Sequence, residues 1–282
     1  VLNAGLAGFG GKIVSDAVSY KKEALEYADS IRKAAEQAKK SEDVIKATIG
    51  SSYTLHDLQL KREVTRWIVM VPGLETRGET KDAMTAQFKG WLEAVKALEI
   101  HVPAEKRTNT VHFINAFLQF NDQHYEAAIE SLKGFPDKIP EKFLLLGAAY
   151  DRAGNQQRAQ WAFREAQDLS KRLRGDTIMA KAINGDAIIE AKYSRFDEAE
   201  RLFNKALQTD PGLHGVHYNL AALYSVTKKF DAAISSLCAF RIRGEGNVFD
   251  MVDSDKDKSF ENLKSHLGPE WRKTLEKRLY AC

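Results

Sequence analysis

The sequence predicts an all-α chain, built as a series of helix–turn–helix units with helical flanks. Three observations carry that prediction. A small-large-small pattern recurs along the second half of the 282 residues. Each occurrence follows a second stretch of helical periodicity. The recurrence interval is far longer than a heptad, which separates it from an ordinary helical bundle.

The pattern is clearest in FDEAERLFNKALQTDPG, Phe196 to Gly212, where Ala199, Phe203, Ala206 and Pro211 stand four, three and five residues apart. Stepping 34 residues onward reaches Ala233, with Phe230 and Leu237 at the matching offsets. Stepping back 40 residues reaches Ala159, with Phe163 and Ala166. A further 31 reaches Ala128, with Tyr125, Leu132 and Pro140. Four copies follow, at 109–142, 140–173, 180–213 and 214–247. In each second helix the small residues admit a neighbouring helix and the large one fills the space between. Pro140 and Pro211 end the unit because proline cannot continue a helix. In the first helices, KFLLLGAAYDRAGN places Gly147 and Tyr150 three apart and Gly154 at the turn, and VHYNLAALYSVTKKF offers Leu220, Ala221 and Tyr224 at matching places.

On these residues the chain resembles the tetratricopeptide repeat family, in a bacterial-type array, over about half its length. The third copy departs from the family pattern, with Asp186 and Glu190 where Leu and Tyr are usual. The resemblance implies a right-handed superhelix whose first helices line a concave groove. It further implies a partner peptide or helix in that groove. Carried over copy by copy, the groove residues are Phe113, Phe117 and Phe120; Glu141, Leu144, Asp151 and Arg152; Lys181, Asn184 and Lys192; and Tyr218, Asn219 and Ser225. The Phe stripe reads either as packing against the preceding helix or as an apolar end of the groove. A subset of the family grips chaperone C-termini with a Lys-Asn-Asn-Lys-Arg clamp. Only Asn219 fits that clamp here, so no chaperone-tail binding is expected.

Residues 1–11 read as a linker or the remnant of an upstream segment. Residues 12–107 form an N-terminal helical region. It opens with a long amphipathic helix from Ile13 to Lys40 and continues with segments Leu55–Val71 and Lys81–Leu98, which read as a degenerate repeat or cap. Phe88, Trp91, Leu92 and Val95 share one face of the last segment. WIVMV (Trp67 to Val71) reads alternatively as a strand. The array spans 108–247, and 248–282 supply capping helices that pack through Phe260, Leu263, Trp271 and Leu275.

Composition narrows the function. Basic and acidic side chains balance throughout: 17 and 15 in residues 1–108, 16 and 16 in 109–240, 9 and 8 in 241–282. No concentrated basic footprint emerges, so nucleic acid is not an expected partner. No apolar run approaches the ~20 residues of a bilayer span, so no integral membrane segment is expected. Cys238 and Cys282 do not make a disulfide framework; they read as free thiols of a reducing compartment, hence a cytoplasmic protein.

The motifs that imitate chemistry fail on inspection. AGFGGK (Ala7 to Lys12) lacks the first Gly and the Ser or Thr of a phosphate loop. Asp253, Asp255 and Asp257 alternate like a calcium loop, but Lys258 and Lys264 stand where its Gly and Glu belong. His214 and His217 lack further ligands nearby and read as packing residues. Arg174 to Asp176 spells RGD in an inter-repeat loop, a coincidence. No cofactor, metal or catalytic constellation is expected. The leading expectation is therefore a non-catalytic scaffold for a protein or peptide partner. The second, prompted by the first residue being Val and by the Gly-rich start, is a sensor or docking region of a larger enzyme with its catalytic domain upstream. A third is self-association through the N-terminal helix.

Overall fold

The structure, a computed structural model, describes residues 25–30, 32–33, 42–70, 78–102, 109–136, 138–173, 176–243, 248–253, 255 and 258–282. The linker 1–11, most of the Ile13–Lys40 helix, the phosphate-loop imitation, the first two residues of RGD and Asp257 lie outside them. Among the described residues there are helices and no strands. They fall into two compact units, Val1–Asp137 and Lys138–Cys282.

The first unit contains α1 (Glu42–Met70), α2 (Gly78–Glu99), α3 (Thr110–Asn121) and α4 (Tyr125–Lys133). WIVM is helical, the end of α1, which corrects the strand alternative. Tyr53, Leu60, Val64 and Ile68 recur on one face of α1 and are buried, as are Met84, Phe88, Leu92 and Val95 on α2. Helices α1 and α2 both pack against α3. Trp91, shared with that face in sequence, is only half-buried and meets Phe88 edge-on at 5.5 Å.

The second unit runs α5 (Pro140–Arg152), α6 (Gln156–Leu173), α7 (Asp176–Lys192), α8 (Phe196–Thr209), α9 (Gly215–Val226), α10 (Phe230–Arg243), then α11 (Val248–Asp253), α12 (Glu261–Leu267) and α13 (Trp271–Tyr280). Each helix from α5 to α10 packs on the next, and α7 also touches both α5 and α9. Local signals set the ends. Pro140 occupies the first turn of α5, where its missing N–H costs nothing. Asp197 and Glu198 open α8, where carboxylates favour the helix dipole. Its core holds Ala180, Ile183, Ala187, Ala199, Phe203, Ala206, Val216 and Leu220.

The four helix pairs α3–α4, α5–α6, α7–α8 and α9–α10 share one turn. Gln123, Gly154, Ser194 and Lys228 each take a left-handed conformation, at φ 64°, 80°, 59° and 61°. The residue after each donates its backbone N–H to the carbonyl five before it: His124 to Gln119 at 2.8 Å, Asn155 to Tyr150 at 2.8 Å, Arg195 to Glu190 at 3.0 Å and Lys229 to Tyr224 at 2.8 Å. A second bond, from the left-handed residue itself to the carbonyl three before it, completes the Schellman closure each time. Ala128, Ala159, Ala199 and Ala233 then stand five residues on, all at 0% exposure. The turns therefore recur at the intervals of the alanines, and each presents its second helix at the same phase.

Cys238 and Cys282, expected as free thiols, are bonded to one another across a sequence separation of 44. The pairing corrects that expectation: the end of α13 returns to α10, which brings the two residues together.

Candidate functional site

The first helices of the second unit, α5, α7 and α9, carry most of the residues expected in a groove. Two polar pairs cross between them. Lys192, the last residue of α7, donates to Asp151 Oδ1 near the end of α5 at 2.6 Å. Asn184 in the middle of α7 accepts at Oδ1 from Asn219 Nδ2 of α9 at 2.9 Å. Asp151, Asn184 and Asn219 are half-buried, and Arg152 beside them is exposed. These residues form one polar, partly solvated strip along three successive helices. The Lys192 side chain is 34% exposed and that of Asp151 13%, so the pair sits at the edge of solvent.

Other expected residues lie elsewhere. Phe113 and Phe117 are 0% exposed and Phe120 is 1% exposed. Phe117 meets Phe88 of α2 edge-on at 5.5 Å, Phe113 stacks on Phe135 at 5.0 Å, and Phe120 meets Tyr125 at 5.6 Å. The stripe is core, covered by Phe88 of α2 on one side and by Tyr125 of α4 and Phe135 just after it on the other. Leu144 is buried as well, at 1% exposure. Ser225 is wholly buried and accepts the backbone N–H of Leu263 at its Oγ, 3.2 Å away, so it anchors α12 instead of facing a partner.

Lys181 is also corrected, at 6% exposure. Burial pushes its ammonium down to about 8, and the carboxylate of Asp210 opposes that shift. Asp210 is held in place by Thr177 Oγ1 at 2.9 Å and by the backbone N–H of Gly212 at 2.9 Å. Tyr218 is half-buried. Its hydroxyl donates to the Met251 carbonyl at 3.1 Å, and its ring lies 5.7 Å from Phe240 and 5.2 Å from Phe260. It joins α9 to the C-terminal helices.

A polar cluster that the sequence reading did not assemble lies between α6 and α7. Asp186 and Glu190, each 4% exposed, stand on α7. Gln160 Nε2 of α6 donates to both, at 2.9 and 2.5 Å. Arg164 Nε reaches Asp186 at 3.3 Å, and Arg195 in the following turn donates to Glu190. The Arg195 hydrogen bond holds the Glu190 carboxyl below its usual range, with Gln160 and Arg164 assisting against the cost of burial. The one available signal was the departure of Asp186 and Glu190 from the usual Leu and Tyr. Gln160 and Arg164 come from the preceding helix pair and Arg195 from the turn of the same pair, so the cluster ties α6 to α7 and to the α7–α8 turn.

A cleft of about 490 Å³ opens beside the α7–α8 turn, lined by Arg195, Glu198, Glu200, Leu223, Thr227 and Lys229 among others. Its charges are taken up internally. Glu200 accepts from Lys229 at 2.9 Å and from the Tyr224 hydroxyl at 2.9 Å. Burial, and then Glu200, push the Tyr224 phenol up to about 12. Among the described residues no group of three His, Cys, Asp or Glu is placed to hold a metal, and no helix is long and apolar enough to cross a membrane.

No family model and no curated protein matches the chain. Among solved structures it is similar to the crystal structure of BtubC (BKLC) from P. vanneervenii, at 18% identity over 84% of this chain and 87% of that one, with a TM-score of 0.39. A likeness that distant assigns neither fold nor activity.

Proposed function

We propose that the chain is a tetratricopeptide-type scaffold that binds a peptide or helix of a partner protein and performs no catalysis itself. The carrying observation is the strip of Asp151, Arg152, Asn184, Lys192 and Asn219 across three first helices that touch in succession. Neutral amides such as Asn184 and Asn219 suit main-chain N–H and C=O groups of a bound peptide. The flanking Asp151, Arg152 and Lys192 suit charged side chains of either sign.

The test compares two charge reversals in affinity capture followed by mass spectrometry. Arg152→Glu with Lys192→Glu alters the strip. Lys171→Glu with Arg201→Glu alters exposed positions of the second helices α6 and α8. Both proteins should retain the wild-type circular dichroism. The strip variant should lose partners that the control keeps. Recovery of the same partners by both variants removes the strip as the binding site.

A further inference from the structure

We infer that Cys238 and Cys282 form a reversible redox latch that fastens the C-terminal helix α13 to α10. Cys238 is only 6% exposed on α10, within a core that includes Leu237, Phe240, Leu275 and Leu279. Cys282 follows α13 and is exposed. Their Cα atoms stand 6.1 Å apart, inside the range a disulfide spans without backbone movement.

The noncovalent hold on α13 is limited. It buries two leucines, Leu275 and Leu279, and half-buries Trp271 against the same core. It adds exposed ion pairs from Arg278 to Asp231 of α10 at 2.8 Å and from Arg272 to Asp253 of α11 at 2.7 Å, with Arg241 of α10 over the Tyr280 ring at 4.6 Å and Lys264 of α12 over the Trp271 ring at 5.3 Å. A ten-residue helix is too short to persist alone in water. Among the described residues α13 packs on α10 and α12. Without the covalent bond it is an element that opens locally.

Exposure sets the order of chemistry. A low-molecular-weight disulfide reaches Cys282 first. The Cys282 thiolate attacks one of its sulfurs, forming a mixed disulfide and expelling one thiolate. The Cys238 thiolate then attacks the Cys282 sulfur, forming the internal bond and expelling the second thiolate. The protein gives up two electrons and two protons, and the small disulfide becomes two thiols. A dithiol reductant runs the sequence backwards and frees α13.

The experiment uses the full chain equilibrated with oxidised glutathione or with dithiothreitol. Intact-mass analysis should show the oxidised monomer lighter by about 2 Da, the two hydrogens lost. Amide exchange over residues 271–280 should be about tenfold faster in the reduced protein. Cys282→Ser, which changes an exposed position, should show the fast rate under both conditions. Two free thiols after oxidation, a disulfide-linked dimer, or equal exchange rates in both states each overturn the latch.

Discussion

Replacing Gly185 by Ala tests how closely two neighbouring helix pairs approach. Phe163, from the second helix α6, lies against a glycine on each of two first helices, Gly147 of α5 and Gly185 of α7. A Cβ at Gly185 would stand 2.5 Å from Phe163 Cε1, 2.6 Å from Cζ and 2.7 Å from Cδ1. A Cβ at Gly147 would stand 2.6 and 2.7 Å from the same Cδ1 and Cε1. Phe163 is 5% exposed, and an aromatic ring does not bend, so a helix or the whole ring must shift. Overpacking of this kind costs about 1–3 kcal/mol. Against it, Gly→Ala inside a helix contributes about 1 kcal/mol in favour. Gly185→Ala should therefore destabilise by about 0–2 kcal/mol in urea denaturation, although propensity alone predicts a gain. In a Phe163→Ala background the clash disappears, and Gly185→Ala should stabilise by about 1 kcal/mol. A stabilising Gly185→Ala in the wild-type background, or no change of effect between backgrounds, refutes the close approach.

Three further outcomes are expected. Lys181→Met should raise stability near pH 7, because the folded protein holds the ammonium against a pKa lowered from 10.5 to about 8. That penalty is fully present below about pH 8 and disappears as pH rises to 10.5. Wild-type stability should therefore gain a rise of up to ~3 kcal/mol from this group across the window, at 1.36 kcal/mol per unit, and the Met variant should lack that rise in denaturation titrations. Phe203→Ala should cost about 3–5 kcal/mol by leaving a cavity, and Ala199→Arg at least as much by forcing a charge into a site with 0% exposure, both read from urea midpoints. Glu190→Gln should flatten the loss of stability below about pH 4.5. The wild-type carboxyl titrates below that ordinary value, so its contribution is present above it and fades as pH falls through the folded value.

The alanine ladder was legible because period and residue size both survive in one dimension: Ala128, Ala159, Ala199 and Ala233 are all fully buried. The turns were half legible. Gly154 announces a left-handed residue, whereas Gln123, Ser194 and Lys228 adopt the same conformation against their intrinsic preference. There the closing hydrogen bonds and the packing of both helices outweigh a single residue's propensity. The groove residues split by what covers them. Asp151, Asn184, Lys192 and Asn219 are half-buried or exposed and form two polar pairs between helices. Phe113 and Phe117 are core, since Phe135 stacks on the first and Phe88 of α2 meets the second. Lys181 was lost to burial above Asp210, and Ser225 to the docking of Leu263. Each covering residue lies tens of positions away, as does the Cys282 that finds Cys238. Local pattern carries no record of such distant approaches.

The most direct measurement is amide hydrogen exchange on the chain with and without a captured partner peptide. The account predicts new protection concentrated in α5, α7 and α9, around Asp151, Asn184 and Asn219, with α6 and α8 unchanged. Protection confined to the second helices, or to the first unit, contradicts it.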